Sequence, residues 1–238
     1  MAINKEFYNA GRSGGFFDKL ILKKRMKMMD VFTESFSNDI IENALDVGVT
    51  ADSSTLSANF FEKLFPDKSK ITALSDQDAS WLEREFEGLK FVRSSALQMP
   101  FEDNAFDVVF SAATLEHVGS RDSQKKMLEE CYRVCKKGMF ITTPNKWYPV
   151  DFHTLLPFVH WLPRLISTRI LCALGLSYFA KEENLNLLSK KNLTEFMEQL
   201  NIDEFDVRSI KLLAMKSNLL LVVTKSQVDR SSGAANKV

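Results

Sequence analysis

Length, composition and charge place this chain among ordinary globular proteins. It has 238 residues, 45% of them hydrophobic and 26% charged, which is enough to bury one good core. Lysine plus arginine and aspartate plus glutamate both number 31, so the formal net charge is zero. No overall positive field favours a nucleic-acid partner. No apolar run reaches the roughly 20 residues that span a bilayer, and the N-terminus has no signal-peptide pattern. We therefore expect a cytoplasmic protein.

The spacing of the three cysteines predicts free thiols. Cys131, Cys135 and Cys172 include no C-x-x-C pair, and the first two fall four residues apart on one face of a predicted helix. This pattern favours core thiols in a reducing compartment over a zinc site.

The first 39 residues predict an arm and one helix. Residues 1–15 are polar and rich in glycine, which is typical of a loose arm, and apolar periodicity predicts a helix from Phe16 to Phe36. The helix carries a basic cluster that we interpret as a solvated face, with contact to an anionic surface as the alternative. The cluster consists of Lys19, Lys23, Lys24, Arg25 and Lys27.

The segment from Ile40 to Asp52 predicts a buried strand that ends in a tight turn. A short apolar run around Asp46 leads to Gly48, and apolar residues in helical spacing then predict a helix from Ser53 to Leu64. Such a strand, glycine turn and helix binds nucleotide-like cofactors in doubly wound proteins. The fingerprint G-x-G-x-x-G is absent. On this turn alone, a core without a ligand is as good an explanation as a cofactor site.

Strands and helices then alternate in the sequence. Strands are predicted at residues 70–74, 89–92, 106–111 and 139–143, and a helix carrying Trp81, Leu82 and Phe86 follows the first of them. A second helix is predicted from Ser120 to Lys137 and closed by Gly138. Ser189 starts a last helix before strands at 205–213 and 219–224, and residues 226–238 have the composition of a disordered tail. This alternation predicts an α/β parallel sheet.

Linked motifs between Ser94 and Asn145 carry a family resemblance. They are Met99-Pro100-Phe101, Phe106-Asp107-Val108-Val109, Leu115-Glu116-His117 and Arg133-Val134 followed by Gly138. In this order and spacing the chain resembles the class I S-adenosylmethionine-dependent methyltransferases, in the small-molecule branch that includes ubiquinone-biosynthesis enzymes. A nicotinamide-dependent dehydrogenase fits less well, because the phosphate-binding glycines are missing.

The resemblance implies a fold and a cofactor site. The fold is a doubly wound, Rossmann-like seven-stranded sheet with an antiparallel last strand, its core at residues 40–145 and 188–225. The cofactor is S-adenosyl-L-methionine. The implied binding residues are Asp46, Gly48, Val49, Thr50, Asp76, Ser95, Ala96 and Ser111. The usual second glycine, ribose acid and adenine acid are replaced, and strict alignment puts Ser75 at the ribose position. A non-catalytic binding or scaffold protein is therefore the alternative.

Three residues are candidates for proton transfer from an acceptor. An acceptor of high pKa needs a nearby base, and we expect methylation on oxygen rather than on nitrogen or carbon. His117 and Glu116 follow the fourth strand, where ligands bind in doubly wound sheets. His153 follows Asp151 by two residues, a spacing that allows a carboxylate to orient the imidazole. A structural role is the alternative for each.

Residues 146–187 predict a mainly helical cap over the substrate site. The stretch from Pro144 to Asn186 holds four of the six prolines and two of the three tryptophans. Its aromatic residues suit an apolar, sugar or lipid-linked small-molecule acceptor. Peripheral contact with a membrane, a homodimer interface and simple coverage of the sheet are the alternatives.

Overall fold

The computed structural model describes residues 16–36, 40–52 and 58–225. The arm predicted for residues 1–15, the tail predicted for 226–238 and the first part of the helix predicted from Ser53 lie outside these ranges. The helix predicted from Phe16 is confirmed.

Helices and strands alternate along the described chain. The helices are α1 (Phe16–Ser35), α2 (Phe60–Leu64), α3 (Leu82–Glu85), α4 (Arg121–Val134), α5 (Arg164–Ala173), α6 (Ser177–Ala180) and α7 (Lys190–Gln199). The strands are β1 (Ala44–Val47), β2 (Ile71–Ser75), β3 (Lys90–Arg93), β4 (Phe106–Ala112), β5 (Cys135–Pro144), β6 (Phe205–Leu212) and β7 (Met215–Thr224). Short 3-10 helices lie at Lys68–Lys70, Leu115–His117 and Val159–Trp161.

All seven strands belong to one sheet, in the order β3-β2-β1-β4-β5-β7-β6. The pairs from β3 to β5 are parallel, whereas β7 runs antiparallel to β5 and β6. Strand order reverses between β1 and β4, and ligands of doubly wound proteins bind at such a switch point. The predicted fold class, with its antiparallel last strand, is confirmed.

Aromatic rings fix α1 to one face of the sheet. Phe32 of α1 lies 5.5 to 5.7 Å from Phe61, Phe110 and Phe140, measured between ring centroids. Each buried phenylalanine contributes about 1.5–3 kcal/mol by leaving water. This packing positions the cationic side chains two turns earlier in α1, and α4 and α7 cover the opposite face.

The predicted end of α4 is wrong. The helix ends at Val134, and Cys135 begins β5, so Gly138 lies inside a strand instead of capping a helix. A Cβ atom on Gly138 would lie 2.1 Å from the carbonyl oxygen of Val223. The glycine therefore permits close approach of β7.

Among the described residues, the helix after β1 begins at Phe60, and the helix after β2 is shorter than predicted. The described part of the first is α2, where Leu64 is exposed instead of joining the core. The second is the single turn α3, with Leu82 buried and Trp81 and Phe86 flanking it.

The chain between β5 and α7 forms short helices around a small core of its own. Leu171, Phe179, Leu185 and Leu187 are buried together. Eight of the large apolar side chains that are exposed in the described residues fall between Trp147 and Leu174. No helix among the described residues has the length and apolarity needed to cross a bilayer.

Candidate functional site

The Gly48 turn lies at the switch point between β1 and β4. Gly48 has φ +90°, in the left-handed region that favours glycine. Its N–H donates to the carbonyl of Leu74 at 2.7 Å. A Cβ atom here would fall 2.1 Å from the hydroxyl of Thr114. Only glycine therefore fits between the end of β1 and the loop after β4.

Side chains hold the turn that follows Gly48. The N–H of Thr50 donates to Oδ1 of Asn59 at 2.9 Å, and Nδ2 of Asn59 donates to the carbonyl of Thr50 at 3.0 Å. Val49 is buried. Ser111, at the end of β4, donates from its hydroxyl to the carbonyl of Val47 at 2.7 Å. The expected cofactor residues of β1 and β4 therefore lie next to one another.

Two carboxyls and a guanidinium meet beside this turn. Asp46 of β1 and Glu62 of α2 are both buried, and their carboxyls interact. Neither oxygen of Glu62 accepts a hydrogen bond of ordinary length from a described residue. Burial raises the pKa of Asp46, the neighbouring Glu62 raises it further, and burial raises the pKa of Glu62 as well. We call Asp46 and Glu62 the carboxyl pair.

Arg25 of α1 is the cation of this region. Its guanidinium lies 4.8 Å from the ring centroid of Phe60. Burial lowers the pKa of Arg25, and the carboxyls of Glu116 and Asp46 partly offset that change. The charge of Arg25 therefore interacts with carboxyls on both sides of the switch point.

Lys24, next to Arg25, is also turned inward. Its Nζ donates to Oγ of Ser217 at 2.9 Å and lies 4.9 Å from the ring centroid of Phe152. Burial and the charge of Arg25 lower the pKa of Lys24 to about 8. The interpretation of the basic cluster as a solvated face is wrong for Lys24 and fits the exposed Lys23 and Lys27.

The remaining expected cofactor residues lie at the ends of β2 and β3. Asp76 is exposed, and the preceding Ser75 is buried. The N–H of Ser94 donates to the carbonyl of Ser75 at 2.9 Å, which joins the two strand ends. Ser95 is exposed and accepts the N–H of Leu97, and Ala96 packs against the core.

Glu116, His117 and His153 form a compact group, here called the Glu-His-His cluster. A nitrogen of each histidine and a carboxylate oxygen of Glu116 all lie within 4.8 Å of one another. Oε2 of Glu116 accepts the hydroxyl of Thr143 at 2.9 Å. The cluster forms because the 3-10 helix after β4 and the loop after β5 lie side by side.

Both imidazoles of the cluster are held by their Nδ1 atoms. Nδ1 of His117 lies 2.7 Å from the carbonyl of Asn184, and Nδ1 of His153 lies 3.0 Å from Oδ1 of Asp151. Because a carbonyl only accepts, Nδ1 of His117 carries the proton. The two rings meet edge to face at 4.9 Å. The expected pairing of Asp151 with His153 is present.

Burial and charge set the titration of the cluster. Burial and the nearby His153 lower the pKa of His117 to about 3. Burial would lower the pKa of His153, but the hydrogen bond and charge of Asp151 outweigh it and raise that pKa. Burial raises the pKa of Glu116. His117 is therefore a neutral imidazole at physiological pH.

Sequence reasoning missed Arg25, Lys24 and Glu62. Arg25 and Lys24 lie in a run of basic residues, and Glu62 lies between Phe61 and Lys63 on a helix, so no local signal marks them as buried. A surface cavity of about 250 Å³ next to Asn145 and Trp147 involves none of the expected site residues.

Comparison with known proteins identifies a methyltransferase domain and a shared fold. A family model described as a methyltransferase domain matches residues 45–142. The N-methyltransferase NodS from Bradyrhizobium japonicum is 12% identical, with 86% of this chain and 97% of that chain covered and a TM-score of 0.54. Magnesium protoporphyrin IX methyltransferase from Synechocystis, solved with bound S-adenosylhomocysteine, is 12% identical, with 93% and 94% covered and a TM-score of 0.56.

A third solved structure and one curated sequence also match. A possible histamine N-methyltransferase from Thermotoga maritima is 14% identical, with 93% and 100% covered and a TM-score of 0.53. A candidate methyltransferase of Encephalitozoon cuniculi is 37% identical over 51 residues, which are 21% of this chain. The match spans about a quarter of the length of that curated relative, 24%.

The matched segment and the fold agree with each other. Residues 45–142 match a methyltransferase domain, and the sheet has the fold of the class I S-adenosylmethionine-dependent methyltransferases. The cofactor of this class is S-adenosylmethionine. The site fits an α-amino carboxylate, because Arg25 and the carboxyl pair offer opposite charges beside the Gly48 turn.

Proposed function

We propose that this protein transfers the methyl group of S-adenosylmethionine to an oxygen of an apolar or lipid-linked small-molecule acceptor. The observation that carries the proposal is the division of the switch point into two sides. Arg25 and the carboxyl pair lie on the β1 side, and the Glu-His-His cluster lies on the β4 and β5 side.

The β1 side supplies the cofactor site in this proposal. Arg25 binds the carboxylate of the cofactor, and the carboxyl pair accepts hydrogen bonds from its ammonium group. The other roles follow the family pattern. Gly48, Val49 and Thr50 line the methionine part, Asp76 the ribose, Ser95 and Ala96 the adenine, and Ser111 lies below the sulfonium. When bound, the cofactor supplies a methyl group that needs no further activation.

The β4 and β5 side supplies the acceptor site. Glu116, His117 and His153 hold the acceptor oxygen and take part in removing its proton. Phe179 lies 6.1 Å from the ring of His153, and Tyr148 stacks on Phe152 at 5.1 Å. These buried or half-buried rings form an apolar wall that would exclude water and bind an apolar group. They support an apolar acceptor.

Residues 146–187 act as the cap in this proposal and meet an anionic lipid surface. The stretch from 152 to 181 contains no acidic residue, whereas Arg164, Arg169 and Lys181 are exposed in it. Leu165 and Ile166 of α5 are 66% and 46% exposed. Exposed apolar residues beside cations are typical of segments that lie in a membrane interface. Such contact would deliver a lipid-linked acceptor.

The proposed compartment is the cytoplasm. All three cysteines are thiols, as is usual in a reducing compartment. Burial raises the pKa of Cys131 and Cys135, so these thiols are protected from oxidation.

Calorimetric titration with S-adenosylhomocysteine tests the cofactor side. We expect the wild type to bind and Arg25→Met to bind at least 10-fold more weakly, a loss of about 1.4 kcal/mol. Lys23→Met is the matched control, because Lys23 is exposed on the same helix, and it should bind like the wild type.

Two results would contradict the proposal. Equal binding by Arg25→Met and the wild type would remove Arg25 from the cofactor site. A folded wild type that binds neither S-adenosylhomocysteine nor S-adenosylmethionine would favour the alternative of a non-catalytic scaffold, in which the replaced glycine and acids mark a lost site.

A further inference from the structure

We propose that the Glu-His-His cluster is a binding site for a divalent transition-metal ion. The geometry consists of two imidazoles and one carboxylate whose ligand atoms all lie within 4.8 Å of one another. Nε2 of His117 and Oε1 of Glu116 are 3.8 Å apart. A modest contraction would bring all three atoms to the roughly 2.0–2.2 Å at which such ligands hold a metal.

An unsatisfied buried atom points to the ligand. Oε1 of Glu116 has no hydrogen-bond donor among the described residues, although the side chain is completely buried. Such an atom destabilises the fold unless something binds it. Oε2 of the same carboxylate is fixed by Thr143, so Oε1 is held in place beside the two histidines.

The hydrogen-bond partners of the two histidines are of the kind that metal-binding histidines have. Metal-binding histidines commonly donate their other ring N–H to a backbone carbonyl or a carboxylate, which fixes the ring. His117 makes the first kind of bond, to Asn184, and His153 makes the second, to Asp151. Asp151 is itself held by the hydroxyl of Thr154 at 2.7 Å.

The charge of the site suits a divalent cation. Glu116 and Asp151 are buried carboxyls that both interact with His153, and the guanidinium of Arg25 interacts with Glu116. Two nitrogen ligands and one oxygen ligand favour Zn²⁺, Fe²⁺, Co²⁺ or Mn²⁺ over Mg²⁺ or Ca²⁺, which prefer oxygen. Three protein ligands leave positions open for a further oxygen.

The open position gives the site its role, a point that rests on the proposed function. An acceptor hydroxyl bound there would have its pKa lowered by the metal and would lose its proton to solvent. The oxygen would then be held as a nucleophile on the acceptor side of the switch point. Glu116, His117 and His153 would act as ligands rather than as free bases.

Cobalt titration followed by visible absorption tests the site without cofactor or acceptor. Full-length, tag-free protein is treated with chelator and titrated with Co²⁺, and Zn²⁺ is then added as a competitor. We expect one Co²⁺ per chain, with absorption bands of a nitrogen-coordinated ion that Zn²⁺ abolishes. Glu116→Gln and His153→Gln should each weaken binding at least 10-fold.

Two further variants make the test specific. Asp151→Asn should weaken binding 10- to 100-fold, as loss of a partner that orients a ligand does. His160→Gln is the matched control, because His160 is the one remaining histidine of the chain and bonds the carbonyl of Tyr148 outside the cluster. It should bind Co²⁺ like the wild type.

The outcomes separate this inference from the proposed function. A folded wild type that binds no Co²⁺ or Zn²⁺, or a Glu116→Gln variant that binds as tightly as the wild type, overturns the metal site. Either result leaves binding of S-adenosylhomocysteine unaffected. Failure to bind S-adenosylhomocysteine, with Co²⁺ still bound by the cluster, overturns the proposed function instead.

Discussion

Glu62 shows how one residue outside every recognised motif changes the character of the switch point. It is completely buried, and its carboxyl interacts with that of Asp46. Asp46 was implied by the family resemblance, but the acid beside it was not. The two carboxyls of the pair together keep a proton under conditions in which a single exposed aspartate would be ionised.

Glu62→Gln should stabilise the protein at neutral pH. Burial raises the pKa values of both acids in the fold, so the folded state binds more protons than the unfolded chain once pH exceeds about 4. Stability is therefore lost as pH rises through the raised values. The amide removes this loss, and we expect a gain of about 1–3 kcal/mol at pH 7.5 that disappears near pH 4.

Urea unfolding at pH 4, 5.5 and 7.5 measures this effect. Glu87→Gln is the control, because Glu87 is exposed and should change stability little at any of these pH values. A Glu62→Gln variant that is less stable than the wild type at pH 7.5 would show that the carboxyl is ionised and stabilised by its surroundings, contrary to the expectation.

The candidate residues differ in how far the sequence could predict them. Asp151 and His153 are two residues apart, so a local contact was predictable, and they are hydrogen-bonded. The contact of Thr143 with Glu116 spans 27 residues, and Arg25 acts on groups that follow far along the chain. Such contacts depend on how α1 packs on the sheet, which periodicity does not encode.

At the level of elements, the strands were predicted better than the helix ends. β4 is buried along almost its whole length, and a short apolar run is the signal of a central parallel strand. Ser189 was predicted to start α7, and its side chain accepts the N–H of Asn192 in a capping box. The predicted end of α4 was wrong. Basic residues followed by glycine are typical of a helix end, but here the same residues lie in β5.

Gly138→Ala tests the true role of that glycine. The new methyl group would meet the backbone carbonyl of Val223 and the ring of Phe36, and the backbone cannot rotate away as a side chain can. We expect β5 and β7 to be forced apart at a cost of about 2 kcal/mol or more, measured as the free energy of unfolding in urea.

A matched substitution on the same strand separates crowding from a general effect on β5. Lys136 is exposed two residues earlier, so Lys136→Ala should change the free energy of unfolding by less than about 0.5 kcal/mol. A Gly138→Ala variant as stable as the wild type would show that the approach of β7 does not require glycine at this position.

At the scale of the whole molecule, exposed apolar surface is unevenly distributed. The sheet is covered on both faces by helices with buried contacts, whereas most exposed large apolar residues of the described chain lie between Trp147 and Leu174. Trp161 contacts both Trp147 and Phe158 in this region. A concentration of exposed apolar residues with flanking cations is typical of an interaction surface.

Co-sedimentation with lipid vesicles tests what this surface meets. We expect binding to vesicles that contain phosphatidylglycerol, weaker binding to pure phosphatidylcholine, and a further decrease in 0.5 M NaCl, because exposed Arg164 and Arg169 meet anionic headgroups. Replacing both Leu165 and Ile166 by glutamate should weaken binding at least 10-fold, since it removes apolar contact and adds repulsion. Leu213→Glu is the matched control, because Leu213 is 84% exposed on the turn between β6 and β7 and should bind vesicles like the wild type. Sedimentation velocity without lipid completes the test. A dimer that the same double variant dissociates, together with equal binding to neutral and anionic vesicles, would assign the surface to a second copy of the chain and overturn the membrane contact.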